Sequence, residues 1–209
     1  MNKEIIILAD GDFPSHPVPV ALLNSGRPII CCDGAAQGLI KREILPVAIA
    51  GDMDSLPEKL QLEFSSIIHR SDDQESNDLT KAFMLALQYN PDKIIILGAS
   101  GKREDHTLGN ISLLSYYREI TKTSIEMYSD SGIFIPIKEP SFFNFKPGTQ
   151  ISIFSLTPDI KITSYGLKYP TNNVVFDFWW KATLNEVCES PIKIEFSKGR
   201  VILFASYNE

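Results

Sequence analysis

Cysteine and histidine are both scarce, with three of each in 209 residues. The cysteines are Cys31, Cys32 and Cys188. An odd count with two neighbours adjacent argues against a disulfide framework and points to a reducing, cytoplasmic compartment. Cys31 and Cys32 fall in an apolar run, where they read as small core fillers rather than reactive thiols. No His/Cys spacing has the form of a zinc site, and His16 and His69 stand isolated, as structural or exposed residues. Long hydrophobic runs are missing, so no segment can span a bilayer. The first apolar run, residues 5–9, stops at Asp10-Gly11-Asp12 and reads as a strand rather than a signal peptide. Positive charge is in deficit: 20 Lys and Arg against 26 Asp and Glu give a net charge of −6. That balance argues against a nucleic-acid or anionic-membrane partner, but not against one phosphate ligand held locally or through a metal. Internal repeats, low-complexity tracts and long linkers are also lacking.

What is present is ordinary for a globular chain, 44% hydrophobic and 22% charged, and long enough for one large or two small domains. Over residues 1–130, short apolar runs alternate with helical patterns. Strands are expected at 4–9, 28–32, 47–50, 67–69, 93–97 and 124–128, and helices at 18–24, 35–42, 58–64, 79–88 and 108–117. Ser55 and Asn77 are the expected caps of the third and fourth helices. Such alternation predicts a Rossmann-like, mostly parallel α/β domain. From about residue 131 to 209 the helical patterns nearly vanish. Short alternating pieces at 133–137, 150–156, 161–163, 174–180, 192–196 and 201–205 predict a small all-β sandwich or barrel. At that size it is expected to lean on the first domain or on a second chain. Trp179 and Trp180 lie in one of these pieces. As strand neighbours they would face opposite sides, one in the core and one at a dimer interface.

Acid and glycine recur where the expected strands of the first half end: Asp10-Gly11-Asp12, Asp33-Gly34, Gly51-Asp52-Met53-Asp54, the run from Asp72 to Asp78, and the stretch 98–106. In open α/β sheets ligands bind beyond the carboxyl ends of the strands, so parallel strands would bring these groups to one edge. Two carboxylates about 4 Å apart repel by about 4 kcal/mol at an effective dielectric of 20. Folding alone gives no reason to gather them, whereas Mg²⁺ takes hard oxygen ligands from one or two carboxylates together with substrate phosphates. Lys81, Lys102 and Arg103 are the nearby cations. For Lys102 a solvated charge and a phosphate contact are both open readings. Familiar phosphate motifs do not fit. The 98–102 stretch is too short for a P-loop, with Arg103 where Ser or Thr belongs, no Gly-x-Gly-x-x-Gly follows the first strand, and the protein-kinase set is absent. His106 lies beside Asp105 without a Ser or Cys nucleophile motif.

Several of these stretches together resemble the thiamine pyrophosphokinase family. They are Cys32-Asp33-Gly34-Ala35-Ala36, Gly51-Asp52-Met53-Asp54-Ser55, residues 73–81, residues 98–110, and Gly166-Leu167-Lys168-Tyr169-Pro170 in the second half. The resemblance implies Mg²⁺-dependent transfer of pyrophosphate from ATP to the hydroxyl of thiamine, giving thiamine diphosphate and AMP. It also implies a homodimer with thiamine near the subunit interface. Carried onto this chain, Asp52, Asp54, Asp78 and Asp105 fall on acidic active-site positions, with Asp52, Asp54 and Asp78 as metal ligands and Asp78 or Asp105 orienting the acceptor hydroxyl. Asp33, Gln74, Thr80, Lys81 and Arg103 fall on nucleotide-site positions, and Asn185 on a thiamine contact. Two positions depart from the family pattern: Glu75 stands where Asp is usual, and Leu184 replaces a hydroxyl residue before Asn185. The alternatives are another Mg²⁺-dependent nucleotidyl or glycosyl transferase, or a non-catalytic module that binds nucleotide or thiamine.

Overall fold

The computed structural model describes residues 3–73 and 75–208, in two units: Met1–Leu113 with Thr123–Asp130, and Leu114–Lys122 with Ser131–Glu209. Gln74, one of the expected nucleotide contacts, lies outside the described residues.

In the first unit, six strands pair in parallel: β1 (Glu4–Leu8), β2 (Ile29–Cys32), β3 (Ala48–Gly51), β4 (Ile68–Arg70), β5 (Lys93–Leu97) and β6 (Ser124–Tyr128). Their order is β6-β5-β1-β2-β3-β4, with Ile6 opposite both Ile29 and Ile95. Ile5, Ile6, Ile7, Ile30, Ile94 and Ile96 are all buried. A parallel sheet covered on both faces demands such continuous apolar runs rather than alternation. The helices are α1 (Pro17–Leu23), α2 (Ala35–Ile40), α3 (Glu58–Glu63), α4 (Asp78–Leu87) and α5 (Glu104–Ile120), of which the residues from Leu114 on belong to the second unit. Cys31 packs with Ile6, Leu39 and Ile49 on one face of the sheet, the filler role its sequence context suggests.

Helix α4 shows how the sequence sets an element. Asn77 holds an extended backbone and its side chain accepts from the Thr80 N–H at 3.0 Å, which satisfies one orphan donor of the first turn. Asp78 adds an acid where the helix dipole favours one. Leu79, Ala82, Phe83 and Ala86 repeat at helical spacing and are buried, laying α4 on β1, β2 and β3. Fully burying a side chain such as Phe83 contributes about 1.5–3 kcal/mol.

Every strand pairing within the second unit is antiparallel. One sheet has the order β11 (Asn185–Glu186), β9 (Gln150–Ser155), β13 (Val201–Ser206), β7 (Gly132–Ile137). The other runs β10 (Thr163–Tyr165), β12 (Ile192–Glu195), β8 (Ser141–Phe143). Ile151, Ile153 and Leu203 from the first sheet and Ile192 and Ile194 from the second belong to one apolar core.

The structure departs from the sequence reading in five places, the first being that the strand expected at 161–163 lies at Thr163–Tyr165. Residues 174–180 are not a strand: Trp179–Ala182 form a 3₁₀ turn, supported by the Asp177–Lys181 ion pair at 3.4 Å. Both tryptophans are exposed, Trp179 to 45% and Trp180 to 67%, and Phe176 enters the core instead. Ser55 does not cap α3, whose first turn follows Pro57 with no side-chain cap. Helix α5 starts four residues before the expected 108, at Glu104, because a polar first turn of Glu104 and Asp105 suits a helix N-terminus but carries no apolar periodicity. β8 and β11, of three and two residues, are too short to leave a period in the sequence. Among the described residues no helix is long and apolar enough to cross a membrane.

Candidate active site

The strand order reverses between β1 and β5, since β2, β3 and β4 follow β1 on one side while β5 and β6 lie on the other. Crevices in open α/β sheets form where the order reverses, outside the carboxyl ends. The loops leaving β1 and β5 meet there. The Ala9 N–H donates to Leu97 O at 2.9 Å, Gly11 N–H to Gly98 O at 2.6 Å and Asp12 N–H to Ser100 O at 2.8 Å. A cleft of about 340 Å³ opens at these loops, walled by Asp10, Cys32, Ser55, Asp78, Lys102 and Arg103.

Beside it, Asp33, Asp52 and Asp54 each offer a carboxylate oxygen, all within 4.8 Å of one another. Asp33 ends β2 and is 2% exposed, with a left-handed backbone at φ 25°. Its Oδ2 accepts from the Ser55 N–H at 3.1 Å, and its Oδ1 is buried with no hydrogen-bond partner. Burial, together with the nearby carboxylates of Asp54 and Asp78, pushes the Asp33 carboxyl up to about 6, against the opposing pull of the Ser55 N–H. Asp54 goes the other way, held below the usual range by the Ser55 hydroxyl, which donates to its Oδ1 at 2.8 Å, and by its neighbour Asp33. Asp52 Oδ1 accepts from the Asp54 N–H at 3.2 Å, which closes the turn. Ser55, expected as a helix cap, instead ties two acids together and forms part of the cleft wall.

Gly51 makes the assembly possible. A Cβ there would lie 2.9 Å from Asp33 Cβ and 3.3 Å from Asp78 Oδ1, so only glycine lets β3 pass between these two acids. Asp78 is the first residue of α4, and its Oδ1 meets Lys81 Nζ at 3.1 Å. The Lys81 side chain is 8% exposed, so this cation is fixed in place rather than solvated. The Thr80 hydroxyl donates to Asn77 Oδ1 at 2.8 Å. Thr80 and Lys81 also line a second cavity of about 310 Å³, with His69, Arg70 and Ser71.

The remaining candidates are placed differently. Asp105 stands apart from the triad. Its oxygens accept from Arg103 Nε at 3.0 Å and Arg103 Nη2 at 2.5 Å, and Oδ1 also accepts from the His106 N–H at 2.9 Å. Hydrogen bonds from Arg103 and His106 hold its carboxyl down to about 2. Asn185 is in the second unit and buried; its Oδ1 accepts from the Tyr169 and Glu186 N–H groups at 3.0 and 2.9 Å, and its Nδ2 donates to Tyr169 O at 2.6 Å. Its side chain thus clamps the backbone around β11. Asp33 is the member of the acidic group that spacing did not single out as a metal ligand. The signal was the sheet itself, because β2 and β3 are parallel neighbours with Cys32 opposite Ala50, so the residues following both strands meet. Asp10 and Asn110 were visible only as parts of motifs. Asn110 donates to Ala99 O at 3.0 Å and accepts from Asn77 Nδ2 at 3.2 Å, joining α5 to the loop after β5 and to the cap of α4.

Residues 20–128 match the family model described as the catalytic domain of thiamin pyrophosphokinase, and residues 132–204 match the model of its substrate-binding domain. Thiamine pyrophosphokinase of Bacillus subtilis (strain 168) is 31% identical over 214 residues, covering 98% of this chain and 99% of its own. A Caenorhabditis elegans relative, thiamin pyrophosphokinase 1, is 24% identical over 86% of this chain and 79% of its own. Among solved structures, the Bacillus subtilis enzyme superposes with a TM-score of 0.83 at 27% identity, covering 99% of this chain and 100% of that one. The Candida albicans enzyme has the same fold, with a TM-score of 0.82 at 19% identity over 99% of this chain and 90% of that one.

Proposed function

Because the chain belongs to the thiamin pyrophosphokinase family, whose reaction moves pyrophosphate from ATP to thiamine, we propose that it carries out this transfer with Mg²⁺ at Asp33, Asp52 and Asp54, giving thiamine diphosphate and AMP. The observation that carries the reading is the carboxylate triad beside the cleft, with a buried Asp33 oxygen that no protein group satisfies. Three hard oxygen donors fit a divalent cation, and burying an unpaired carboxylate oxygen is costly without one. This assignment differs from the sequence expectation in the third ligand, with Asp33 in the place given to Asp78.

When bound, Mg²⁺ neutralises charge on the phosphate oxygens of ATP. The protein's own residues do the positioning. Asp33, Asp52 and Asp54 hold the metal edge of the cleft, and Ser55 fixes the orientation of two of them. Asp78 lines the cleft and is steadied by Lys81, which suits it to orient the thiamine hydroxyl as its oxygen attacks the β-phosphorus. Asp105 is the weaker candidate for that proton, since Arg103 holds its carboxyl at about 2, far below a useful base at neutral pH. Arg103 also lines the cleft, which supports its assignment to the nucleotide side. Thr80, Lys81 and Gln74 are assigned to the nucleotide side, supported by the second cavity along α4. Asn185 shapes the segment around β11 that would meet thiamine.

The first unit is read as Rossmann-like and the second as a small sandwich, on their strand orders. A homodimer is supported by the exposed Phe178, Trp179 and Trp180 of the second unit, a cytoplasmic protein by the odd, partly adjacent set of three cysteines, and the lack of a nucleic-acid partner by the net charge of −6. The test of the function is AMP release from ATP and Mg²⁺. Release that depends on thiamine and stops with EDTA is the expected result. Release of pyrophosphate or a nucleoside diphosphate in place of AMP would point to a different transferase.

A further inference from the structure

Lys102 stands at the cleft in an uncommon backbone conformation. Its backbone is left-handed, at φ 54°, directly after Gly101 at φ 78°. A non-glycine residue rarely occupies that region, and strained positions of this kind gather at functional sites. Gly101 has a packing reason for its own conformation, since a Cβ there would lie 2.0 Å from Asp12 Oδ2. At Lys102 the Arg103 N–H donates to Gly101 O at 2.7 Å, closing a tight three-residue turn of a rare and strained kind around the lysine. Its Nζ crosses the mouth of the cleft to Asp10 Oδ1 at 2.9 Å, and both residues line the cleft. A Cβ built on Gly34 would stand 3.1 Å from Asp10 Oδ2, so this pair lies next to the strand end that carries Asp33. Both side chains are about half exposed, 53% and 47%, and an ion pair in that setting is weakly held and easily exchanged. The other cation of the cleft wall, Arg103, is engaged by both oxygens of Asp105. Lys81 is buried against Asp78.

We propose that Lys102 is a donor-specificity residue: its ammonium exchanges the Asp10 carboxylate for the polyphosphate chain of the nucleotide, favouring a triphosphate donor over a monophosphate. The inference rests on the nucleotide-dependent reading above and adds a residue and a latch to it. A polyphosphate carries more charge than one carboxylate and offers several oxygens to an ammonium with three donors, so the exchange runs toward the nucleotide.

The test uses the full chain with excess Mg²⁺ and calorimetric titration of inorganic tripolyphosphate, ATP and AMP. Lys102→Gly suits the left-handed backbone, so its melting temperature should equal or exceed the parent's. Its Kd for tripolyphosphate and ATP should rise about tenfold or more, with AMP binding changed less than about twofold, and Lys102→Arg should recover most of the loss. Asp10→Asn, which frees the ammonium, should tighten ATP binding. Lys102→Gly binding tripolyphosphate and ATP as tightly as the parent would overturn the proposal, and so would an equal loss for AMP and ATP. If Lys102-dependent tripolyphosphate binding is found in a protein that forms no thiamine diphosphate, the acceptor assignment fails and this inference stands. If thiamine diphosphate forms with the same KM for ATP in the parent and Lys102→Gly, only this inference fails.

Discussion

At the scale of single residues, Asp33 and Asp54 divide the work of one site through their surroundings. Asp33 is buried and pushed up to about 6, while Asp54 is exposed and held down by the Ser55 hydroxyl. A divalent cation that binds only the folded triad should stabilise the protein by linkage, about 2.7 kcal/mol at a hundredfold excess over Kd. Thermal melts with and without Mg²⁺ should therefore show a rise in melting temperature for the parent and none for Asp54→Asn. The same variant should retain its fold, since Asp54 is exposed, and lose turnover by about a hundredfold or more. An unchanged Mg²⁺ shift in Asp54→Asn would remove it from the metal site. The acids themselves were legible in the sequence, because Asp52, Asp54 and Asp78 follow glycine-rich or capping patterns at strand ends. That Asp33 joins Asp52 and Asp54 depends on the lateral order of β2 and β3, which no local pattern contains. The engagement of Asn185 with Tyr169 was likewise beyond reach, since it links residues far apart in the chain.

At the scale of elements, two anchors keep the site in place. Asn77 starts α4 and so fixes Asp78 and Lys81, and replacing it by Ala should cost about 1 kcal/mol in a chemical-denaturation experiment. A loss well beyond that would mean that its bond to Asn110 also matters. The second anchor is Asp130, after β6, whose carboxylate accepts from the Ser15 and His16 N–H groups, each at 3.0 Å, and from the Ser15 hydroxyl. It pins the far end of the loop that carries Asp10 and Asp12. Partial burial raises its carboxyl, but these donors outweigh burial and hold it below the ordinary range. The sign follows from that direction. The stabilisation is present above the unfolded-state range, near pH 4, and is lost as pH falls through the lower folded value. Asp130→Asn should thus melt below the parent at pH 7, with the gap closing toward pH 3; a gap that persists or widens at pH 3 would contradict this. Helices with strong apolar spacing, such as α4, could be read directly. The polar first turn of α5 and the 3₁₀ turn at Trp179 could not, because charge placement and turn chemistry, rather than hydrophobic period, decide them.

At the scale of the whole molecule, the change of texture near residue 130 was readable because buried parallel strands and half-exposed antiparallel strands leave different patterns. The extent of exposed aromatic surface was not, since it arises from Phe178, Trp179 and Trp180 turning outward while Phe176 and Ala182 enter the core. Phe178, Trp179 and Trp180 belong to the surface on which the homodimer proposal rests. Light scattering across a concentration series should give twice the chain mass, and Trp180→Glu should shift the protein toward the monomer; a parent that stays monomeric would refute that proposal. The central claim, transfer of a pyrophosphoryl group to thiamine, is tested most directly by following label. ATP carrying ³²P in the β-position, and separately in the γ-position, is incubated with thiamine and Mg²⁺. Attack on the β-phosphorus places both labels in thiamine diphosphate, with one unlabelled AMP for each product. Transfer of the γ-label alone, leaving β-labelled ADP beside thiamine monophosphate, would contradict the account.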